Sequence, residues 1–303
     1  MLRQSFLFLS RQRTLRRWME TSSHAQKLTS RFVPGQTLDD VLRVCRQLHA
    51  DHYLATLDHL GENVTTQPEA DTSRQFCVAA LTAIAASALP ATISIKLTQL
   101  GLDLGDDICR RNVDILVRKA QAIGSRVEID MEAHQYVDRT LSLVQHFQTE
   151  YGCVRSVLQA YLYRTPEDAR RMSKAGVPIR LCKGAYNEPA SVAHPAKSTV
   201  DEEYLKLTRL LLDEGAYPAF ATHDPHMIDG ALNHIAKTGR KPHEFEFQML
   251  YGVRRDLQKM LVEQGYRVRL YVPYGDAWYP YFMRRLAERP ANALFIARNL
   301  FRA

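Results

Sequence analysis

The sequence predicts a (βα)8 barrel of the α/β class. Eight short apolar runs follow one another after the first fifty residues, and amphipathic helical segments lie between them. An open doubly wound sheet, the nearest alternative, would usually show fewer strands and a Gly-x-Gly-x-x-Gly after its first one; the chain has no such motif. The runs span residues 53–57, 91–97, 127–131, 156–161, 178–182, 218–221, 245–249 and 268–272. Each is rich in β-branched, aromatic or leucine residues and is bounded by turn or polar residues. Several are continuously apolar, as expected of strands covered on both faces. The helical segments span 69–88, 107–122, 135–149, 166–175, 201–214, 225–237 and 253–264. Asp224 and Thr165 are the expected N-caps, and Gly124, Gly176, Gly215 and Gly265 stand where helices stop. Residues 1–50, periodic over 37–48, read as an N-terminal helical extension. No Pro/Gly/Ser-rich linker divides the rest, so 51–303 is expected to be one barrel domain.

Composition narrows the function classes. The chain has 303 residues, 46% of them hydrophobic and 24% charged, enough for a large single core. The net charge is +7, and residues 1–20 hold five arginines against Glu20 alone. That excess of four leaves three for the other residues, too little to invoke nucleic acid. The five cysteines are odd in number and form no Cys-x-x-Cys, which suits a reducing compartment and a structural role. No metal-site spacing and no Gly-x-Ser-x-Gly is present. The arginine-rich, acid-poor start has three readings: a mitochondrial transit peptide, a cationic amphipathic helix at a membrane surface, or a plain N-terminal helix.

A barrel places its chemistry at the C-terminal ends of its strands. There the runs offer Asp58 and Glu62, Lys96, Asp130 and Glu132, Gln159, Arg180 and Lys183, Thr222 and His223, Gln248, and Tyr271 with Tyr274. One polar end residue means little, but eight in register inside apolar runs indicate a site, because buried charge is costly unless paired or ligand-bound. The set is cationic at its centre, and Arg284 and Arg285 follow on the helix after the last strand. It suits an anionic small molecule, a phosphate-bearing cofactor, or both. Adjacent arginines on a helix point about 100° apart, so both reach one ligand only if the helix lies across the mouth. The residues alone go as far as a barrel enzyme for an anionic ligand.

Linear segments add a resemblance. Arg-Leu-Cys-Lys-Gly-Ala-Tyr at 180–186 resembles the strand-five signature of proline dehydrogenases. So do Leu-Asp-His-Leu-Gly-Glu at 57–62, Ser-Ile-Lys at 94–96, Asp-Met-Glu at 130–132, Gln-Ala-Tyr at 159–161, Ala-Thr-His-Asp at 221–224 and Phe-Glu-Phe-Gln-Met-Leu-Tyr-Gly at 245–252. Arg-Leu-Tyr-Val-Pro-Tyr-Gly at 269–275, followed by Tyr-Phe-Met-Arg-Arg-Leu-Ala-Glu at 281–288, looks like that family's substrate-binding helix. The likeness runs from about residue 31 to the C-terminus, and the short length resembles the monofunctional bacterial form.

The resemblance implies a distorted barrel holding FAD non-covalently and oxidising L-proline to Δ1-pyrroline-5-carboxylate, the first step of proline catabolism to glutamate, with a membrane quinone as acceptor. Lys96, Arg284 and Arg285 would clamp the proline carboxylate, and Leu181, Tyr186, Leu250, Tyr271 and Tyr281 would pack against the ring. Arg180 would reach the flavin N5 region and Gln159 its pyrimidine edge, with Asp130 in the same network. Cys182, Lys183, Gly184 and Ala185 would run beside the cofactor, which Thr222, His223, Gln248, Arg285 and Glu288 would also contact. Glu62 would pair with Arg284 as a gate. Tyr271 favours proline over 4-hydroxyproline on the same logic. Asn187 stands where the bifunctional relatives usually have Trp, which fits the monofunctional branch. The basic N-terminal stretch would serve peripheral contact at the inner membrane of a cytoplasmic enzyme, or place the chain in the mitochondrial matrix of a eukaryote. The rivals are a folate-reducing FAD barrel, which would need a pterin site, and a catalytically dead barrel acting as a binding partner.

Overall fold

The computed structural model describes residues 29–288 except 62, with side chains described through 283. The readings of the basic stretch at 1–20 and of Glu62 therefore lie outside the described residues. So do the side chains of Arg284, Arg285 and Glu288.

Eight parallel strands close on themselves in sequence order. They are β1 (Leu54–His59), β2 (Ala91–Ile95), β3 (Val127–Ile129), β4 (Val154–Gln159), β5 (Ile179–Cys182), β6 (Ala219–Ala221), β7 (Glu246–Leu250) and β8 (Val268–Tyr274). Around them run α1 (Leu38–Ala50), α2 (Gln67–Ala86), α3 (Asp106–Ala122), α4 (Val137–Tyr151), α5 (Thr165–Lys174), α6 (Lys197–Glu214), α7 (Pro225–Thr238), α8 (Arg255–Glu263) and α9 (Trp278–Glu288). The ring closes where β1 pairs with β8, from Leu54 opposite Arg269 to His59 opposite Tyr274. That pairing carries β8 two residues past the predicted end at 272.

Helix boundaries follow local chemistry. α1 starts in a reciprocal capping box, in which Thr37 accepts from the Asp40 N–H and Asp40 accepts from the Thr37 N–H. Its buried face is Val41, Leu42, Cys45 and Leu48, the spacing of one helical stripe. α2 uses the same device with Thr66 and Glu69. Asp224 caps α7 as predicted, accepting from the His226 N–H. Thr165 does not cap α5; Arg164 holds that place, and the Thr165 hydroxyl donates instead to the Gln159 carbonyl at 2.6 Å. It ties the helix start to the end of β4. Gly124, Gly176 and Gly265 take positive φ just past their helices.

Strand register divides the side chains into two sets, because successive residues point to opposite faces. Leu57, Ile93, Ile129, Leu158, Leu181, Phe220, Phe247 and Leu270 are buried under the helices. The other set points inward, and it is polar: Thr56, Asp58, Thr92, Ser94, Glu128, Arg155, Gln159, Arg180, Glu246, Gln248 and Arg269 are all buried. Such a lumen departs from the branched apolar filling usual for barrels. Its floor is an ion cluster. The Arg155 guanidinium pairs with Glu246 at 2.5 Å and Glu128 at 3.3 Å, while Arg269 donates to Glu246 at 2.8 Å. Buried charge of this kind is tolerable only when paired.

Candidate active site

Above that floor, Asp130 just past β3 gathers the polar residues of three other strands, β2, β5 and β8. Its Oδ2 accepts from Lys96 Nζ at 3.1 Å and from the Tyr271 phenol at 2.9 Å. Its Oδ1 accepts from Ser94 Oγ at 2.7 Å and from the Arg180 guanidinium. Arg180 also donates to Gln248 Oε1 and to Ser94 Oγ, both at 3.2 Å, and its Nη1 lies 3.4 Å from Glu128. Its guanidinium carbon stands 5.5 Å from the centre of the Tyr271 ring, a cation–π arrangement. Asp58, from β1, lies 3.6 Å from Lys96 Nζ.

The electrostatics are those of a compact, largely buried network. Burial by itself raises the Asp130 carboxyl, but Lys96 and Arg180 outweigh it and hold the group below the usual aspartate range. Burial also works against the Lys96 ammonium, and Asp58, Tyr271 and Asp130 reverse that, so it stays charged far into the alkaline range. Both cations are thus permanent features of the mouth.

A second group lines the ends of β4 to β7. Gln159 donates from Nε2 to the Glu132 carbonyl at 3.0 Å and accepts from the Ala185 N–H at 3.2 Å, fixing its amide orientation. Lys183 pairs with Asp201 and, at 2.9 Å, with Asp224. Gly184 has φ +129, and a Cβ there would come within 2.5 Å of the Tyr161 ring, so only glycine lets this backbone lie on that face. His223 Nε2 accepts from the Leu250 N–H at 2.8 Å, which leaves Nδ1 as the N–H of the neutral ring. Thr222 Oγ1 accepts from the Asp224 N–H. The half-buried Cys182 thiol donates to the Leu158 carbonyl, and burial pushes it up to about 11.

The structure therefore brings together Lys96, Asp130, Arg180, Gln248 and Tyr271, with Gln159, Lys183, Gly184, Ala185, Thr222 and His223 beside them. Leu181 is a correction. Its register partners Leu158 and Phe220 share the outward face, and it is fully buried under the helical layer. It sits one residue from Arg180, on the wrong side of a two-residue repeat, and cannot meet a ligand in the lumen. Leu250 and the buried Tyr281 belong to a separate apolar cluster with Phe32, Val33, Leu60, Val253, Trp278 and Phe282. Tyr186 is exposed on the loop after β5.

Sequence reasoning passed over Glu128, Arg155, Glu246 and Arg269, and gave Asp58 and Ser94, though both stood in the segments it singled out, no role of their own. A signal existed: Ser94, Glu128, Glu246 and Arg269 each stand two residues before Lys96, Asp130, Gln248 and Tyr271, the residues that were chosen, and Arg155 stands four before Gln159. No group of residues able to hold a metal ion occurs among the described residues.

Comparison with known proteins bears on the same residues. A family model described as Proline dehydrogenase matches residues 41–298. Proline dehydrogenase 1 of Bacillus subtilis is 40% identical over 303 residues, covering 100% of both chains. Proline dehydrogenase of Deinococcus radiodurans is 38% identical over 280 residues, 91% of this chain and 90% of that one. Among solved structures, proline utilization A from Bdellovibrio bacteriovorus, inactivated by N-propargylglycine, aligns with a TM-score of 0.81 at 25% identity. The alignment covers 87% of this chain but 33% of that longer one. A match across most of the barrel, with relatives that align end to end, assigns the chain to the proline dehydrogenase family.

Proposed function

We propose that the chain oxidises L-proline to Δ1-pyrroline-5-carboxylate with FAD as hydride acceptor and a membrane quinone as terminal oxidant. The observation that carries the reading is the convergence of Lys96 and Arg180 on one carboxylate, Asp130, at the C-terminal mouth of the barrel. The residues present fit a flavin dinucleotide. The Gly184 backbone is held flat on Tyr161 with no room for a side chain, and Lys183, Gln159 and His223 supply a cation, an amide and an imidazole along the same rim. FAD, when bound, supplies the two-electron acceptor.

The protein's own part is binding and orientation. Lys96, with Arg284 and Arg285, would take the proline carboxylate, since a carboxylate held by several cations is fixed in both place and direction. Tyr271, Leu250, Tyr186 and Tyr281 would confine the ring. Arg180 is immobilised by four partners, so it presents a fixed positive charge where a cofactor's electron-rich face needs one. Asp130 and Gln248 orient Arg180, and Gln159, Cys182 to Ala185, Thr222, His223 and Glu288 would hold the cofactor. Glu62 would close onto Arg284 when substrate is absent. No protein base is required if the amine arrives neutral. The basic N-terminal stretch would dock the protein peripherally where the quinone resides.

Anaerobic mixing of the purified yellow protein with proline tests this. Bleaching of the flavin absorbance by proline and not by a reduced nicotinamide is expected. Bleaching by the nicotinamide alone would mark a folate-reducing barrel instead.

A further inference from the structure

Asp58 is 1% exposed, points into the lumen beside Ser94 and Pro273, and its Oδ1 has no hydrogen-bond partner. Its one ion pair among the described residues is Lys96 Nζ, at 3.6 Å, beyond hydrogen-bonding reach. The same ammonium donates to Asp130 at 3.1 Å. Two carboxylates thus share one lysine, and they are not equivalent. Asp130 has Arg180 and Ser94 as further donors and takes the 2.9 Å Tyr271 hydrogen bond, while Asp58 shares only the influence of that Tyr271 hydroxyl. The other charged or titratable groups around Asp58 are Asp130 and Arg180 in the lumen, Tyr271 and Tyr274 on the neighbouring strand β8, and Cys77 on α2. Burial pushes the Asp58 carboxyl above its usual range in spite of Lys96, whereas Asp130 is held below.

We propose that Asp58 is the resting counter-ion of Lys96, and that substrate carboxylate displaces it, so that substrate binding draws a proton from solvent onto Asp58. The inference rests on the reading of Lys96 as the carboxylate anchor. The exchange balances simply. Before binding, Lys96 faces two ionised carboxylates; afterwards the ligand's carboxylate takes the place of Asp58, which becomes a neutral acid by accepting one proton from the buffer. No bond in the ligand changes. A buried carboxylate that meets a second negative charge while losing hold of its cation binds a proton more tightly. Affinity for an anionic ligand then falls as pH rises, because the proton becomes scarcer. Asp58 acts through Lys96 and is a positioning residue.

The test uses the full chain loaded with FAD and tetrahydrofuran-2-carboxylate, the ring-oxygen analogue of proline, which has no amine proton to release. Calorimetry in two buffers of different ionisation enthalpy counts the protons taken up. The wild type is expected to take up a large fraction of a proton per ligand, with affinity falling by up to about tenfold per pH unit. In Asp58→Asn the uptake should vanish and the affinity should become flat with pH and no weaker. Asp58→Glu should restore uptake. A wild type that takes up no proton, or an Asn variant with unchanged uptake, overturns the proposal; the wild-type count decides it even if neither variant folds. Lys96→Met separates the two readings. If it leaves the analogue's affinity unchanged, the anchor reading fails and takes this inference with it; if it weakens binding while Asp58→Asn keeps its uptake, this inference alone fails.

Discussion

Tyr271 and Asp130 are joined across the barrel mouth by a 2.9 Å hydrogen bond between residues 141 apart in the sequence. Their strands, β8 and β3, are not neighbours in the ring. The bond therefore spans the lumen and braces the one carboxylate on which both cations depend. Tyr271→Phe keeps the ring under Arg180 and removes only the donor. A hydrogen bond to a charged acceptor is worth roughly 1.5–3 kcal/mol. Urea unfolding should show a loss toward the lower end of that range, because Asp130 keeps its other donors. The KM for proline should rise several-fold as Lys96 and Arg180 shift. Unchanged stability and KM would remove Tyr271 from the brace.

Arg180→Lys keeps a positive charge and discards geometry. The guanidinium reaches Asp130, Gln248, Ser94 and Glu128 at once, which one ammonium on a flexible stem cannot do. Two or more charge-assisted contacts are lost, so flavin reduction by proline should slow about 10- to 100-fold at saturating FAD. Stopped-flow absorbance reads this directly, and a wild-type rate would show that charge alone suffices.

The barrel was legible because its outward face is apolar. Ile93, Ile129, Leu158, Leu181 and Phe247 made each strand visible as a run, and the helices between carried their own stripes. The same runs hid the lumen. Leu181 and Arg180 are adjacent in the sequence and on opposite sides of the sheet, and a run read as a block does not separate them. Glu128, Arg155, Glu246 and Arg269 lie at the N-terminal side of the mouth residues, where no ligand was expected. Glu128 with Arg155 and Glu246 with Arg269 sit on consecutive strands, but the Arg155–Glu246 and Arg269–Glu128 contacts that join the two pairs cross the lumen, so only ring closure reveals that four expensive charges cancel. Thr165 misled for a local reason: it is the first residue of the helix, and its hydroxyl donates to the Gln159 carbonyl instead of accepting from a helix N–H.

Gly184→Ala tests whether the loop after β5 needs its glycine. The residue has φ +129, which side chains rarely adopt, and the added methyl carbon would overlap Tyr161. The loop must move or Tyr161 must tilt, and Ala185, whose N–H holds Gln159, moves with it. Fold stability should fall by only about 1–3 kcal/mol, because the segment is at the surface of the barrel mouth. FAD retention should fall much further, at least tenfold in Kd by fluorescence titration of the released flavin. Normal retention would place the cofactor elsewhere.

The floor of the lumen makes the fold sensitive to acid. Burial works to raise the Glu246 carboxyl, but Arg155 and Arg269 override it and hold the group well below the glutamate range; Glu128 is lowered for the same reason. A carboxylate whose folded-state pKa is depressed binds protons more tightly when unfolded. Its stabilisation is therefore complete above the unfolded value, about 4.3, and is lost as pH falls from there toward the folded value. Protonating Glu246 therefore leaves the Arg155 and Arg269 guanidiniums with only Glu128 to share in a buried interior. Glu246→Gln creates that situation at neutral pH and should cost about 3–5 kcal/mol, the usual loss on breaking a buried ion pair. Its stability should also fall less steeply with acid than that of the wild type, since one of the titrating groups is gone. Tyr217→Phe is the gentler control: it removes a 3.1 Å hydrogen bond to Glu246 Oε2 but leaves both salt bridges. It should lose about 1 kcal/mol and keep the wild-type acid slope. Urea unfolding of the three proteins across the acid range decides the matter, and an acid slope in Glu246→Gln equal to the wild type would mean that other carboxylates govern acid unfolding.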